Sequence, residues 1–217
     1  MSHSNHSDGY RRFRQAMQDG RLRPGMVVTQ AELCKLLGIS LTPLRETLVL
    51  LEEFGLVEVK PRAGIRVVYP EVTFIRENYQ FRSLIELHAI RQFAPNAPAD
   101  WLAEMRQLHE TLEGQLKREE TMPKLFERWV ALDAEFHTQF VKSLQNHAIS
   151  SVYDRIMDNI NLARQVHDRT ALRTRVIDSA GEHLAILSAL EEGNADAAAA
   201  SLELHFRAST YRTLVAA

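Results

Sequence analysis

Apolar residues recur at helical spacing over most of the chain. Six segments, near 73–94, 98–118, 122–145, 147–168, 171–192 and 195–214, each carry an apolar stripe separated by polar positions. The breaks fall at Pro95 and Pro98, at Met122 and Pro123, at Asn146, at 168–170, and at Gly193 and Asn194. No segment is apolar all round, so the pattern predicts a bundle of amphipathic helices. The first 70 residues read differently. A helix over 10–19 stops at Gly20, and a second over Gln30–Leu37 is closed by Gly38. Ser40 or Thr42 can cap a third helix, in which Pro43 is tolerated in the first turn and Leu44, Leu48 and Leu51 face inward. Beyond Gly55, the β-formers at 56–60 and 65–69 flank Pro61-Arg62-Ala63-Gly64 and predict a hairpin. The expected fold is mainly α. A winged helix-turn-helix domain occupies 1–70, with 1–8 a disordered tail, and an all-helical six-helix domain occupies 71–217.

Charge changes the picture modestly. The net charge of −2 divides into 10 Lys/Arg against 7 Asp/Glu over residues 1–70, and the opposite imbalance beyond. A basic head on an acidic body suits phosphate neutralisation, which needs local positive charge. The single cysteine, Cys34, excludes an internal disulfide and fits a reducing cytoplasm. No apolar run reaches membrane-spanning length, and the polar opening MSHSNHSDGY is unlike a leader, so no membrane partner is expected.

In a helix-turn-helix the second helix enters the major groove. Here that helix opens with Ser40, Thr42 and Arg45, side chains able to address phosphates and base edges near a positive helix end. Lys60, Arg62 and Gly64 sit at the wing tip, where glycine permits close backbone approach. A winged helix that binds protein instead would carry similar surface residues. The runs Asp19-Gly20-Arg21-Leu22-Arg23-Pro24-Gly25, Leu37-Gly38-Ile39-Ser40-Leu41-Thr42-Pro43-Leu44-Arg45-Glu46-Thr47-Leu48, Leu51-Glu52-Glu53-Phe54-Gly55-Leu56-Val57 and Pro61-Arg62-Ala63-Gly64 resemble the winged-helix head of the GntR family of bacterial regulators. The resemblance implies DNA contacts at Ser40, Thr42, Arg45 and Arg62. It departs at Leu41, where the family usually has arginine, and near Ala31, where a basic or polar residue is frequent. Loss of a guanidinium at 41 implies an atypical operator or weaker binding.

In the body, Asp133 and His137 lie four residues apart among Phe126, Trp129, Val130, Phe136, Phe140, Val141 and Leu144, and so share one helix face. An aspartate aimed into an apolar bundle needs a partner or a metal. His183 and His205 sit on apolar stripes of two later helices. One carboxylate and three imidazoles suit zinc first, with nickel, iron or manganese as alternatives, and leave positions open for a ligand. The competing reading is a set of hydrogen-bonded core histidines. Cys34, His88, His109, His147 and His167 show no grouping. A metal-dependent enzyme could use the same four residues, but no His-Glu-x-x-His and no evident base or nucleophile accompanies them.

The body resembles the FCD sensor domain of the FadR-like branch of that family, and its six helices resemble the shorter VanR-type group. That resemblance implies a divalent metal held by Asp133, His137, His183 and His205 beneath an effector pocket. Within Phe81-Arg82-Ser83-Leu84-Ile85-Glu86 it implies that Arg82 faces the pocket and grips a small carboxylate effector. A surface ion pair with Glu86 is the alternative for Arg82. The whole resemblance implies a homodimeric, non-enzymatic repressor or activator that binds a palindromic operator in double-stranded DNA.

Overall fold

The computed structural model describes residues 3–118, 122–164 and 172–215. Contacts divide the chain into two compact units, Met1–Ile75 with Arg155–His167, and Arg76–Asp154 with Asp168–Ala217.

The first unit contains α1 (His3–Gln18), β1 (Val27–Val28), α2 (Gln30–Leu37), α3 (Leu41–Glu53), β2 (Val57–Lys60) and β3 (Gly64–Val67). Residues 155–164 of a later helix, α7 (His147–Arg164), join it. The expected order of elements is present, and residues 3–8, read from the sequence as a tail, lie within α1. Asp8 pairs with Arg11 and Arg12 one turn onward, a spacing that supports helix. Thr29 and Glu32 form a reciprocal capping box at the start of α2, and Gly38 closes it in a left-handed conformation with φ of 64°. Ser40, not Thr42, is the N-cap of α3, although its side chain makes no capping hydrogen bond.

Leu44, Leu48 and Leu51 are buried as predicted, against Phe13, Leu22, Leu33 and Ile65. The hairpin is there too. The sequence reading missed β1, which is too short to show alternation and pairs Val27 with Arg66 and Val28 with Ile65 in a sheet of order β1-β3-β2. Gly64 makes that pairing feasible. Its φ is +99°, and a Cβ there would stand 2.9 Å from the Val28 carbonyl oxygen.

The second unit contains most of α4 (Val72–Phe93), a 3-10 turn at Ala94–Asn96, α5 (Ala99–Lys117), α6 (Met122–Ser143), the first turns of α7, α8 (Leu172–Glu191) and α9 (Ala195–Val215). The six predicted helices are present. The expected end of α7 and start of α8, at 168 and 171, lie outside the described residues. α8 packs on both α5 and α9, and α5 on α6. Ile90, Phe93, Met105, Leu112, Trp129, Phe136, Phe140, Ile186, Leu187 and Leu202 form the core. Val130 does not belong to the inward face of α6: it is 39% exposed, because it follows Trp129 by a single residue around the helix. Arg82, Glu86, His109, Asp133, His137, His183 and His205 are all buried among these apolar side chains. Such a set demands partners.

Candidate metal centre and nucleic-acid interface

Asp133 and His137 on α6, His183 on α8 and His205 on α9 come together. One ring nitrogen from each of the three histidines lies within 4.8 Å of the others. His137 Nε2 stands 3.2 Å from His183 Nε2, and Asp133 Oδ1 lies 3.7 Å from each of those nitrogens. Phe136 stacks on His183 with ring centroids 4.4 Å apart, fixing the plane of that imidazole.

The outer nitrogens explain which atoms face inward. His137 Nδ1 bonds Glu86 Oε2 at 2.6 Å, and His205 Nδ1 bonds Glu182 Oε2 at 2.8 Å. A carboxylate only accepts, so both Nδ1 atoms carry protons and both Nε2 atoms present lone pairs. His205 Nε2 is buried with no hydrogen-bond partner among the described residues. Lone pairs of neutral imidazoles crowded beside a carboxylate repel one another unless a cation lies between them. The donor set and its geometry therefore fit a divalent metal.

Burial disfavours the imidazolium form of His183 and His205. It drives His183 well below the usual histidine range, reinforced by His205 and His137, and holds His205 at about 4 against the pull of Glu182. Both supporting carboxylates stay charged. Burial alone would raise Glu86, but the Arg82 guanidinium and His137 override it and hold the group at about 2. For Glu182, burial is overcome by two hydrogen bonds from Arg212 and one from His205, again to about 2.

Arg82 pairs with Glu86, Nε to Oε1 at 2.6 Å, as the alternative reading had it, but both residues are fully buried and the pair is not a surface one. Tyr153 donates to the same oxygen at 2.7 Å. The guanidinium lies 4.9 Å from the Phe206 ring centroid, and its two terminal nitrogens have no hydrogen-bond partner among the described residues. Two unmet, coplanar donors are the complement of a carboxylate.

The sequence reading missed Glu86 as a support for His137, Glu182 as a support for His205, and His109 altogether. It read His109 as ungrouped, yet His109 Nε2 lies 2.9 Å from His183 Nδ1. Spacing along one helix could not show this, because His109 and His183 meet across the α5–α8 packing.

In the first unit Ser40, Thr42 and Arg45 are exposed at the start of α3, and Leu41 beside them is 42% exposed. Lys60 and Arg62 are exposed on the hairpin, Lys60 within 3.0 Å of Glu58 and Arg62 in a left-handed conformation with φ of 66°. Gly64 is half-buried, and its fit against β1 accounts for a glycine at that place.

Residues 77–208 match the FCD domain, and residues 8–67 match the bacterial regulatory proteins of the gntR family. A protein of Streptomyces ambofaciens, named an uncharacterized HTH-type transcriptional regulator in unstable DNA locus, is 25% identical over 207 residues, covering 94% of this chain and 83% of that protein. An Agrobacterium vitis protein, named an uncharacterized HTH-type transcriptional regulator in the TAR-I ttuE-ttuC' intergenic region, is 30% identical over 138 residues, covering 62% of this chain and 78% of its own length. E. coli McbR/YncC superposes with a TM-score of 0.78 at 18% identity, over 96% of this chain and 97% of the other, a likeness of fold. Among the described residues no helix is long and apolar enough to cross a membrane. The chain belongs to the GntR family of bacterial transcriptional regulators, with a DNA-binding winged-helix head and an FCD domain.

Proposed function

We propose that the protein is a cytoplasmic, homodimeric regulator of the shorter, VanR-type group, whose body holds a divalent metal and senses a small carboxylate. The observation that carries the sensing half is the convergence of three buried imidazoles, His137 and His205 each with Nε2 turned inward by an outward hydrogen bond. Asp133, His137, His183 and His205 would hold the ion, zinc first and nickel, iron or manganese as alternatives. When bound, such an ion supplies a positive charge and an open coordination position for an effector oxygen. The unmet nitrogens of Arg82 would take a second oxygen of the same anion. The relatives are named as transcriptional regulators, which favours sensing over turnover by these residues.

The head would seat α3 in the major groove of double-stranded DNA, with Ser40, Thr42 and Arg45 at base edges and phosphates and with Lys60, Arg62 and Gly64 on the wing. Two copies would read the halves of a palindrome, and the effector would repress or release transcription only as far as it binds one arrangement of heads better than the other. The test begins with DNA selected by the wild-type protein from a random pool at low salt. Arg45→Ala is expected to weaken gel-shift affinity for that DNA by about 10- to 100-fold, the usual worth of a base contact, with an unchanged melting temperature. Affinity within about twofold of wild type, well below the worth of one base contact, would remove Arg45 from the interface, and failure to select any DNA would favour a protein-binding head.

A further inference from the structure

We infer that His109 is a positioning residue that sets the tautomer of His183 and thereby presents His183 Nε2 to the metal centre. The inference rests on the metal reading above for its consequence, but its own content is a proton position in the protein. His109 is fully buried on α5. Its Nδ1 lies 2.7 Å from the carbonyl oxygen of Met105, one turn back on the same helix. A carbonyl oxygen cannot donate, so that bond requires the proton on Nδ1 of His109. In a neutral ring, Nε2 is then a lone pair.

This lone pair faces His183 Nδ1 at 2.9 Å, so His183 must carry its own proton there. The consequence is a bare His183 Nε2, the atom 3.2 Å from His137 Nε2 and 3.7 Å from Asp133 Oδ1. Were the His109 proton on Nε2 instead, the chain would invert. His183 Nδ1 would accept, and a proton would occupy the nitrogen that a metal needs. The Met105 carbonyl therefore selects, through two rings, the form of a side chain on another helix. For His137 and His205 the same task falls to carboxylates. His183 alone of the three is oriented by a neutral group, which leaves the site less negative than three carboxylate supports would make it.

A purely structural role for His109 is packing against Trp129 and Phe136, whose ring centroids lie 6.0 and 5.3 Å away. The experiment separates the two. Long-range 1H–15N correlation spectra of the metal-free full-length protein report which nitrogen of His183 is protonated. We expect the Nδ1–H form in wild type, and the Nε2–H form there overturns the proposal without any variant. His109→Phe keeps an aromatic ring and removes the acceptor, whereas His109→Gln returns an amide oxygen near the same place.

In His109→Phe, His183 is expected to lose its single tautomer. Zinc affinity, measured by competition with a chromophoric chelator, should fall by about 10- to 100-fold, the usual cost of losing such an outer partner. His109→Gln should recover most of that loss. An unchanged tautomer with zinc affinity within about twofold of wild type in His109→Phe, against that usual cost, overturns the role. Should His109→Phe fail to fold, the wild-type spectrum and His109→Gln decide the matter. A wild-type protein that takes up no zinc removes the metal reading, and the His183 tautomer still decides the role of His109.

Discussion

His137→Ala is expected to take up no zinc under conditions in which the wild type is expected to bind one ion per chain. It removes one of three inward Nε2 lone pairs and opens a gap between Asp133 and His183, which both face that nitrogen. Loss of an outer partner already costs about 10- to 100-fold in metal affinity, so loss of a direct ligand should cost at least on the order of a hundredfold. Wild-type protein at a hundredfold excess of metal over its Kd gains about 2.7 kcal/mol of stability, whereas the variant at the same metal concentration should gain at most about 0.4 kcal/mol. Melting curves with and without zinc read this directly. His88→Ala, at an exposed position on α4, is the control. Equal zinc stabilisation of His137→Ala and wild type would sink the four-residue centre.

Acid should undo the metal-free protein in a defined window. His183 and His205 are held below the ordinary histidine value by burial, His205 at about 4. Between pH 6.5 and 4 the unfolded chain takes up a proton that the folded His205 refuses, so folding stability falls as pH falls through that range. For His205 alone the loss is on the order of 3 kcal/mol. Glu86 and Glu182, held at about 2, act lower still. Their stabilisation is full above the ordinary carboxylate value of 4.5 and is lost as pH drops toward 2. Urea unfolding of chelated protein at pH 7, 5.5 and 4.5 tests the histidine window, and a flat profile would contradict the burial of neutral imidazoles.

Much of this architecture is legible in the order of the residues. The leucine stripe of α3, the glycine that ends α2 and the six amphipathic helices follow from local periodicity, which is a property of one segment at a time. Asp133 and His137 were readable for the same reason, being one turn apart on one helix. His183 and His205 could be nominated only because imidazoles stood on apolar stripes. What periodicity cannot reveal is which stripes face each other. Glu86 looked like the partner of Arg82 alone, four residues away, and its second oxygen meets His137 only because α4 and α6 pack together. Glu182, beside His183 in sequence, serves His205 instead, since consecutive helical residues point about 100° apart. The strand β1 was silent because two residues carry no period, and its only local trace is the glycine opposite it.

Glu86→Ala should be among the most destabilising single substitutions in the second unit, and it separates what holds the fold from what builds the site. The carboxylate receives Arg82 Nε at 2.6 Å, Tyr153 OH at 2.7 Å and His137 Nδ1 at 2.6 Å, all fully buried. Removing it leaves a buried guanidinium without the carboxylate that pairs with it, and the expected cost is about 3–5 kcal/mol in urea unfolding. Glu203→Ala, at an exposed ion pair with Arg207, should cost less than about 1 kcal/mol. Glu86→Gln distinguishes the two roles. Its amide oxygen can still accept from Arg82 and Tyr153, so part of the stability returns. Its amide nitrogen is a donor facing the Nδ1–H of His137, and the two protons exclude each other. His137 relieves that clash by moving its proton to Nε2, which closes the nitrogen that faces His183 and Asp133. Glu86→Gln is therefore expected to fold better than Glu86→Ala and yet to bind zinc at least about tenfold more weakly than wild type. Full zinc affinity in a folded Glu86→Gln protein would show that the tautomer of His137 is set by something other than this carboxylate.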